Sequence, residues 1–201
     1  DAVRKSAALL AAGYGIKEVV PVLVELVSNA KRAEATRVAA LSALADLKSD
    51  RLPQVIEQSL RADGPRLRSE SRRLLAARNP AKAVEVLREA IENGETLERQ
   101  GAIAVLATIN NRQADEVLSS WLDRLLKNQV PSEIQLDILE AARKRATPGL
   151  KQKLETYEAS LPADNVLATY RVAFAGGDAE RGKDIFFGRN EVSCRRCHLI
   201  N

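Results

Sequence analysis

The chain has 201 residues, a net charge of +4, and an apolar share of 45% with only 3% aromatics. Ala and Leu dominate that share, and both lose little side-chain entropy in a helix, so the composition favours an all-α chain over a sheet-rich one. Its 31 basic and 27 acidic residues nearly balance, and no stretch reaches the ~20 uninterrupted apolar residues of a membrane-spanning helix, which argues against a nucleic-acid binder and a membrane span.

The chain opens directly on a helical pattern, Val3, Ala7 and Leu10, and contains no Met. It is read as an internal stretch of a longer protein, so the lack of a leader says nothing about export. Residues 17–29 follow as a helix paired with 34–47. The valines of Val19 to Val27 would also suit a buried strand, but helical neighbours on both sides favour a helix. Glu25, Pro21, Glu18 and Lys17 interrupt the apolar run here. The next pair is 53–62 with 66–78, whose second member carries Arg66, Arg68, Arg72, Arg73 and Arg78 without an aromatic among them. That stretch reads as a solvated helix face, with a docking patch for an acidic partner as the alternative.

Two more pairs follow, 80–93 with 95–109 and 113–128 with 132–145. Val117, Leu118, Trp121, Leu122, Leu125 and Leu126 recur every three or four residues and form one apolar stripe. Asn79-Pro80 and Thr147-Pro148 each place a capping side chain before a proline at the first helical position. Ser132 to Gln135 fits a capping box. Asp63-Gly64-Pro65 and Asn93-Gly94 read as turns and helix ends.

The second helices resemble one another. Arg37-Val-Ala-Ala-Leu-Ser-Ala-Leu-Ala, Arg68-Ser-Glu-Ser-Arg-Arg-Leu-Leu-Ala and Arg99-Gln-Gly-Ala-Ile-Ala-Val-Leu-Ala begin 31 residues apart, an earlier copy begins at Arg4, and a looser one spans Ile134 to Ala142. Helix pairs of this length resemble HEAT repeats over roughly residues 1–146, with armadillo-like or other α-hairpin stacks as alternatives. The resemblance implies an α-solenoid, in which each pair buries its apolar stripe only by stacking on its neighbours. Leu41, Leu44, Ile103, Leu106, Leu118 and Leu122 are the expected core.

Residues 147–175 are read as terminal helices and a linker, and 176–201 as the start of a second domain. Five of the seven aromatics lie between Tyr157 and Phe187, and Gly176-Gly177 interrupts any helix there. A short helix capped by Asp178 is expected next. Both cysteines and the only histidine then fall in Cys194-Arg195-Arg196-Cys197-His198. This C-x-x-C-H spacing suits two thioethers to one porphyrin, with the adjacent imidazole as proximal iron ligand. Three other readings compete: a zinc site one ligand short of four, a thioredoxin-like pair lacking its βαβ context, and ordinary cysteines beside a chance histidine. Arg195 and Arg196 read as solvated charge or as part of a docking edge.

The helix from Gly177 to Phe187 resembles the N-terminal helix of class I cytochromes c, with Gly182 and Phe186 at the family's Gly and aromatic positions. Repeats running into this segment resemble the planctomycete- and verrucomicrobium-type haem-binding proteins. That resemblance implies haem c held by Cys194, Cys197 and His198, with His198 as the metal ligand. It also implies an electron-transfer role beside a dehydrogenase domain or redox partner, an extracytoplasmic location such as the periplasm, and no catalytic residue in this stretch. A Met and a closing helix would be needed to complete such a site, and the chain has neither Met nor a second His. The isolated chain is therefore expected to lack haem. A scaffold for protein–protein contacts, with no cofactor, is the rival reading.

Overall fold

The computed structural model describes residues 1–162, 164–165, 167–189 and 197. Among the described residues the chain is all-helical, without a strand. The α-helices are α1 (Ala2–Gly13), α2 (Val20–Ser28), α3 (Glu34–Asp46), α4 (Leu52–Ser59), α5 (Pro65–Arg78), α6 (Pro80–Asn93), α7 (Thr96–Leu106), α8 (Arg112–Leu126), α9 (Ser132–Arg145), α10 (Pro148–Ala159) and α11 (Ala179–Gly188). Short 3-10 turns at Lys17–Val19 and Ala168–Ala173 precede α2 and α11. The four expected helix pairs are present as α2–α3, α4–α5, α6–α7 and α8–α9, with ends shifted by a few residues.

Packing between elements gives two layers with a helical-repeat-like character. The second helices form one layer, α1 on α3, α3 on α5, α5 on α7 and α7 on α9. In the other layer α2 packs on α4, α6 on α8 and α8 on α10, while a cleft opens between α4 and α6. The apolar stripes meet between the layers. Leu41, Leu44, Ile103 and Leu106 are fully buried, and Leu118 and Leu122 are 1% exposed, as their spacing predicts.

A recurrent side chain fastens each pair. The fourth residue of α3 is Arg37, whose Nε donates to the Val27 carbonyl near the end of α2 at 2.9 Å. The fourth residue of α5, Arg68, donates through Nη1 to the Ala62 and Asp63 carbonyls after α4, at 2.6 and 3.0 Å. Arg99, fourth in α7, donates to the Glu92 carbonyl of α6. In α9 the place is taken by Gln135, whose Nε2 donates to the Val130 carbonyl at 2.9 Å. A helix leaves its last carbonyls without partners and carries partial negative charge there, so a cation or amide donor at that end is stabilising. At Val27 and Glu92 the bond places the start of the second helix beside the end of the first, as an antiparallel hairpin requires. At α5 and α9 it fastens the connection between the two helices.

The helix expected at the start of the chain is present as α1, which turns Ala8 and Ala11 toward α3, while Val3 is 81% and Leu10 60% exposed. Two small residues on one face allow close approach to α3, and the bulkier stripe is left outward. The structure corrects three local expectations. First, Pro131, not Ser132, occupies the N-cap of α9, and no capping box forms. Gln135 is drawn instead to the Val130 carbonyl. Second, Thr147 occupies the N-cap of α10 without a side-chain capping bond. Third, the arginines of α5 are not one solvated face, because Arg72 is buried and Arg68 half-buried. Asn79 does cap α6, accepting from the Lys82 amide at 3.1 Å.

After α10, which packs on α8 and α9, the chain returns to the array. The 3-10 turn at Ala168–Ala173 packs on α9, burying Ala168 and Val172. Gln100 Nε2 then bridges two carbonyls, Glu133 at 2.8 Å and Gly176 at 3.0 Å. Gly176 has φ +79°, and a Cβ there would collide with the Glu133 carbonyl, so only glycine fits without a shift.

Candidate functional site

The C-x-x-C-H segment is the constellation on which the expectation of a cofactor rests, through its residue types and their spacing. Of its members, Cys194 and His198 lie outside the described residues, as do Arg195 and Arg196. Cys197 sits in a turn, with an exposed, free thiol. Among the described residues, no group of three or more His, Cys, Asp and Glu side chains is placed to hold a metal ion.

The approach to the segment is better defined. Gly176 fixes the chain against the starts of α7 and α9, and Asp178 begins α11 by accepting from the Arg181 amide at 3.0 Å. The cap satisfies one of the free amides of the first turn, as the sequence predicts. Phe186 and Phe187 meet edge to face, with ring centroids 5.1 Å apart at 74°. Gly182 faces open space, and α11 buries none of its residues. On its apolar side Ile185 and Phe186 are half-buried.

A second polar centre lies within the array. The cleft between α4 and α6 encloses about 560 Å³, and Arg68, Arg72 and Glu98 line it. Glu98 is 4% exposed and accepts from Arg68 Nε at 2.8 Å, Arg68 Nη2 at 2.7 Å and Arg72 Nη2 at 2.9 Å. Those guanidiniums, Arg68 foremost, outweigh burial and hold the Glu98 carboxyl at about 2, against an ordinary value of 4.5. Such a carboxylate stays ionised and cannot serve as a proton acceptor at neutral pH. The cluster joins α5 to α7 and works as an ion-pair clamp, with no nucleophile beside it. Burial raises the Asp137 carboxyl on α9 above its ordinary value.

Sequence reasoning missed this clamp. Arg68 stood out because it leads a repeat, but Glu98 lies 30 residues away on another helix, and nothing local marks the pairing. The anchoring of Gly176 by Gln100 spans 76 residues and was equally hidden. Among the described residues, no helix is long and apolar enough to cross a membrane. No protein-family model matches the chain, and no curated protein matches it either.

Proposed function

We propose that the chain is an electron-transfer module: a HEAT-like α-solenoid over residues 1–146, terminal helices and a linker over 147–175, and the start of a class I cytochrome c domain over 176–201. The observation that carries this reading is the coincidence of the only two cysteines and the only histidine in Cys194-x-x-Cys197-His198, twelve residues after Gly182. The donor set suits haem c, with Cys194 and Cys197 as thioether anchors and His198 as the proximal ligand. A free, exposed thiol at Cys197 is the state that attachment requires. Haem, when bound, supplies a one-electron iron couple. The chain's own residues supply attachment, one ligand and burial.

Three features of the chain support this role. α11 carries Ile185, Phe186 and Phe187 near its end and buries none of its residues, as a helix awaiting the rest of a haem pocket would. Gly176 ties the base of α11 to α7 and α9, so a haem carried beyond it would be held near the repeat array rather than on a loose tether. The layered helices offer extended surface to a donor, proposed here as a dehydrogenase domain or redox partner. Thioether formation depends on an export-side attachment system, so an extracytoplasmic site such as the periplasm belongs to the same reading. No residue of this stretch is assigned a catalytic role.

A specific observation also favours a scaffold reading. The two-layered array is tied together by its own side chains, which suits a surface for protein contacts. The test is expression of the intact natural protein in a host that exports it and attaches haem. The electron-transfer reading expects a Soret band, a haem stain that survives a denaturing gel, and loss of that stain on replacing Cys194 and Cys197 together with Ala. The chain made in a reducing cytoplasm should carry none. Neither a Soret band nor a mass increase in the haem-competent host would leave the scaffold reading in its place.

A further inference from the structure

We infer that α1 is the second helix of a further hairpin, and that its outward stripe is the seat of an antiparallel amphipathic helix supplied by the polypeptide ahead of Asp1. The inference rests on how α1 packs and is independent of the haem. The stripe is Val3, Ala7, Leu10 and Tyr14, at i, i+4, i+7 and i+11, one face of a helix. Val3, Leu10 and Tyr14 are 81%, 60% and 80% exposed, so the bulkiest apolar side chains of α1 touch little. A contiguous apolar stripe in water marks a surface that another element covers.

The position of α1 identifies the kind of element. Among the second helices, neighbours lie start beside start. The Glu34 carboxylate at the head of α3 accepts from the Arg66 and Leu67 amides at the head of α5, at 2.8 and 3.2 Å. Gln100 near the head of α7 donates to the Glu133 carbonyl at the head of α9. The same relation holds between α1 and α3, where Asp1 Oδ2 accepts from the Ala33 amide at 3.4 Å. So α1 belongs to the layer of second helices. Yet α3, α5, α7 and α9 each have a first helix beside them, and the stripe of α1 faces none among the described residues.

Charge gives the direction of the missing helix. In α3 and α7 the fourth residue donates to a carbonyl in the last turn of the first helix, and in α5 and α9 to a carbonyl of the connection that follows it. Arg4 and Lys5 hold the third and fourth places of α1, and Lys5 is exposed. The Arg4 side chain is 51% exposed, with Asp1 of its own turn as its only ion partner among the described residues, at 4.0 Å. A helix ending at Arg4 and Lys5 would present unpaired carbonyls and the negative end of its dipole to these two cations.

The test compares amide exchange in the 201-residue chain and in the natural polypeptide extended through the preceding helix pair. Covering the stripe should slow exchange in α1 by roughly tenfold or more in the longer chain, because α1 then opens only with its neighbour. Leu10→Asp with Tyr14→Asp should abolish that gain in the longer chain. Both side chains are exposed in the short one, where far-UV circular dichroism and exchange in α3 to α9 should not change. Equal exchange of α1 in the two lengths overturns the inference. So does sedimentation of the 201-residue chain as a dimer that the double substitution disperses, since the stripe would then be a seat for a second copy.

Discussion

Residues 1–160 and residues 167–189 fold by different means. In the first region the helices from α2 to α10 are each locked twice, by an apolar stripe buried against neighbours and by a long polar side chain fastened to another element's backbone or carboxylate. In the second, the 3-10 turn at Ala168–Ala173 buries two side chains on α9 and α11 buries none. Repeats of one pattern can stabilise one another, because each helix carries the surface its neighbour needs. The segment around α11 has no repeat of its own pattern beside it to supply such a surface, and on the electron-transfer reading a cofactor would supply part of it. Its helix can be capped by Asp178 and still lack a core.

Removing the charge that joins α5 to α7 is the strongest way to break that contrast. Glu98→Ala leaves Arg68 and Arg72 without their shared carboxylate, and Arg72 Nε and Nη1 already lack acceptors among the described residues. Stranding buried cations in this way should destabilise the array by about 3–5 kcal/mol in chemical denaturation. A loss below ~1 kcal/mol would show that the repeats hold without the clamp. Truncating the neighbouring core should cost a similar amount. Leu106 is fully buried, and Leu106→Ala is expected to lose about 2–5 kcal/mol.

Acid sharpens the same point. The folded-state value for Glu98 is depressed to about 2 from an ordinary 4.5, so its stabilisation is complete above the ordinary value and disappears as pH falls through the depressed one. The wild-type array should therefore lose on the order of 3 kcal/mol between roughly pH 5 and pH 2 on this account. Glu98→Ala should show a correspondingly flatter acid limb. An identical limb in both proteins would place the acid sensitivity elsewhere.

Much of the array was legible because its signals are local. Asn79-Pro80, Asp63-Gly64-Pro65 and the Arg37, Arg68 and Arg99 recurrence each lie within one turn or one helix. The helix of α1 was legible as well, but not its buried face, since the alanines at 7, 8, 11 and 12 allow two faces and packing on α3 selects Ala8 and Ala11. Where the signal was ambiguous, the reading slipped. Ser132 looked like a cap because Gln135 follows at the right distance, yet the Val130 carbonyl, in the connection just before α9, is the acceptor Gln135 takes. The clamp at Glu98 and the docking of Gly176 depend on residues 30 and 76 positions apart, and one sequence alone holds no trace of such pairings. At the candidate haem site the motif was legible from spacing alone, while Cys194 and His198 lie outside the described residues.

The smallest expected effect separates the two regions most cleanly. Phe186 is half-buried and meets Phe187 edge to face, but nothing in α11 reaches the interior of the array. Phe186→Ala in the 201-residue chain should therefore move the global denaturation midpoint by less than about 0.5 kcal/mol, as a surface substitution does. Any local loss of helix would appear in the exchange of residues 179–188 and leave α3 to α9 untouched, because α11 opens independently of them. On the electron-transfer reading the same substitution becomes costly once haem and the rest of its domain enclose the ring. There it should approach the ~3–5 kcal/mol of a buried Phe truncation. A loss above ~1.5 kcal/mol in the isolated chain would mean that Phe186 belongs to the array core, and the contrast between the two regions would fail.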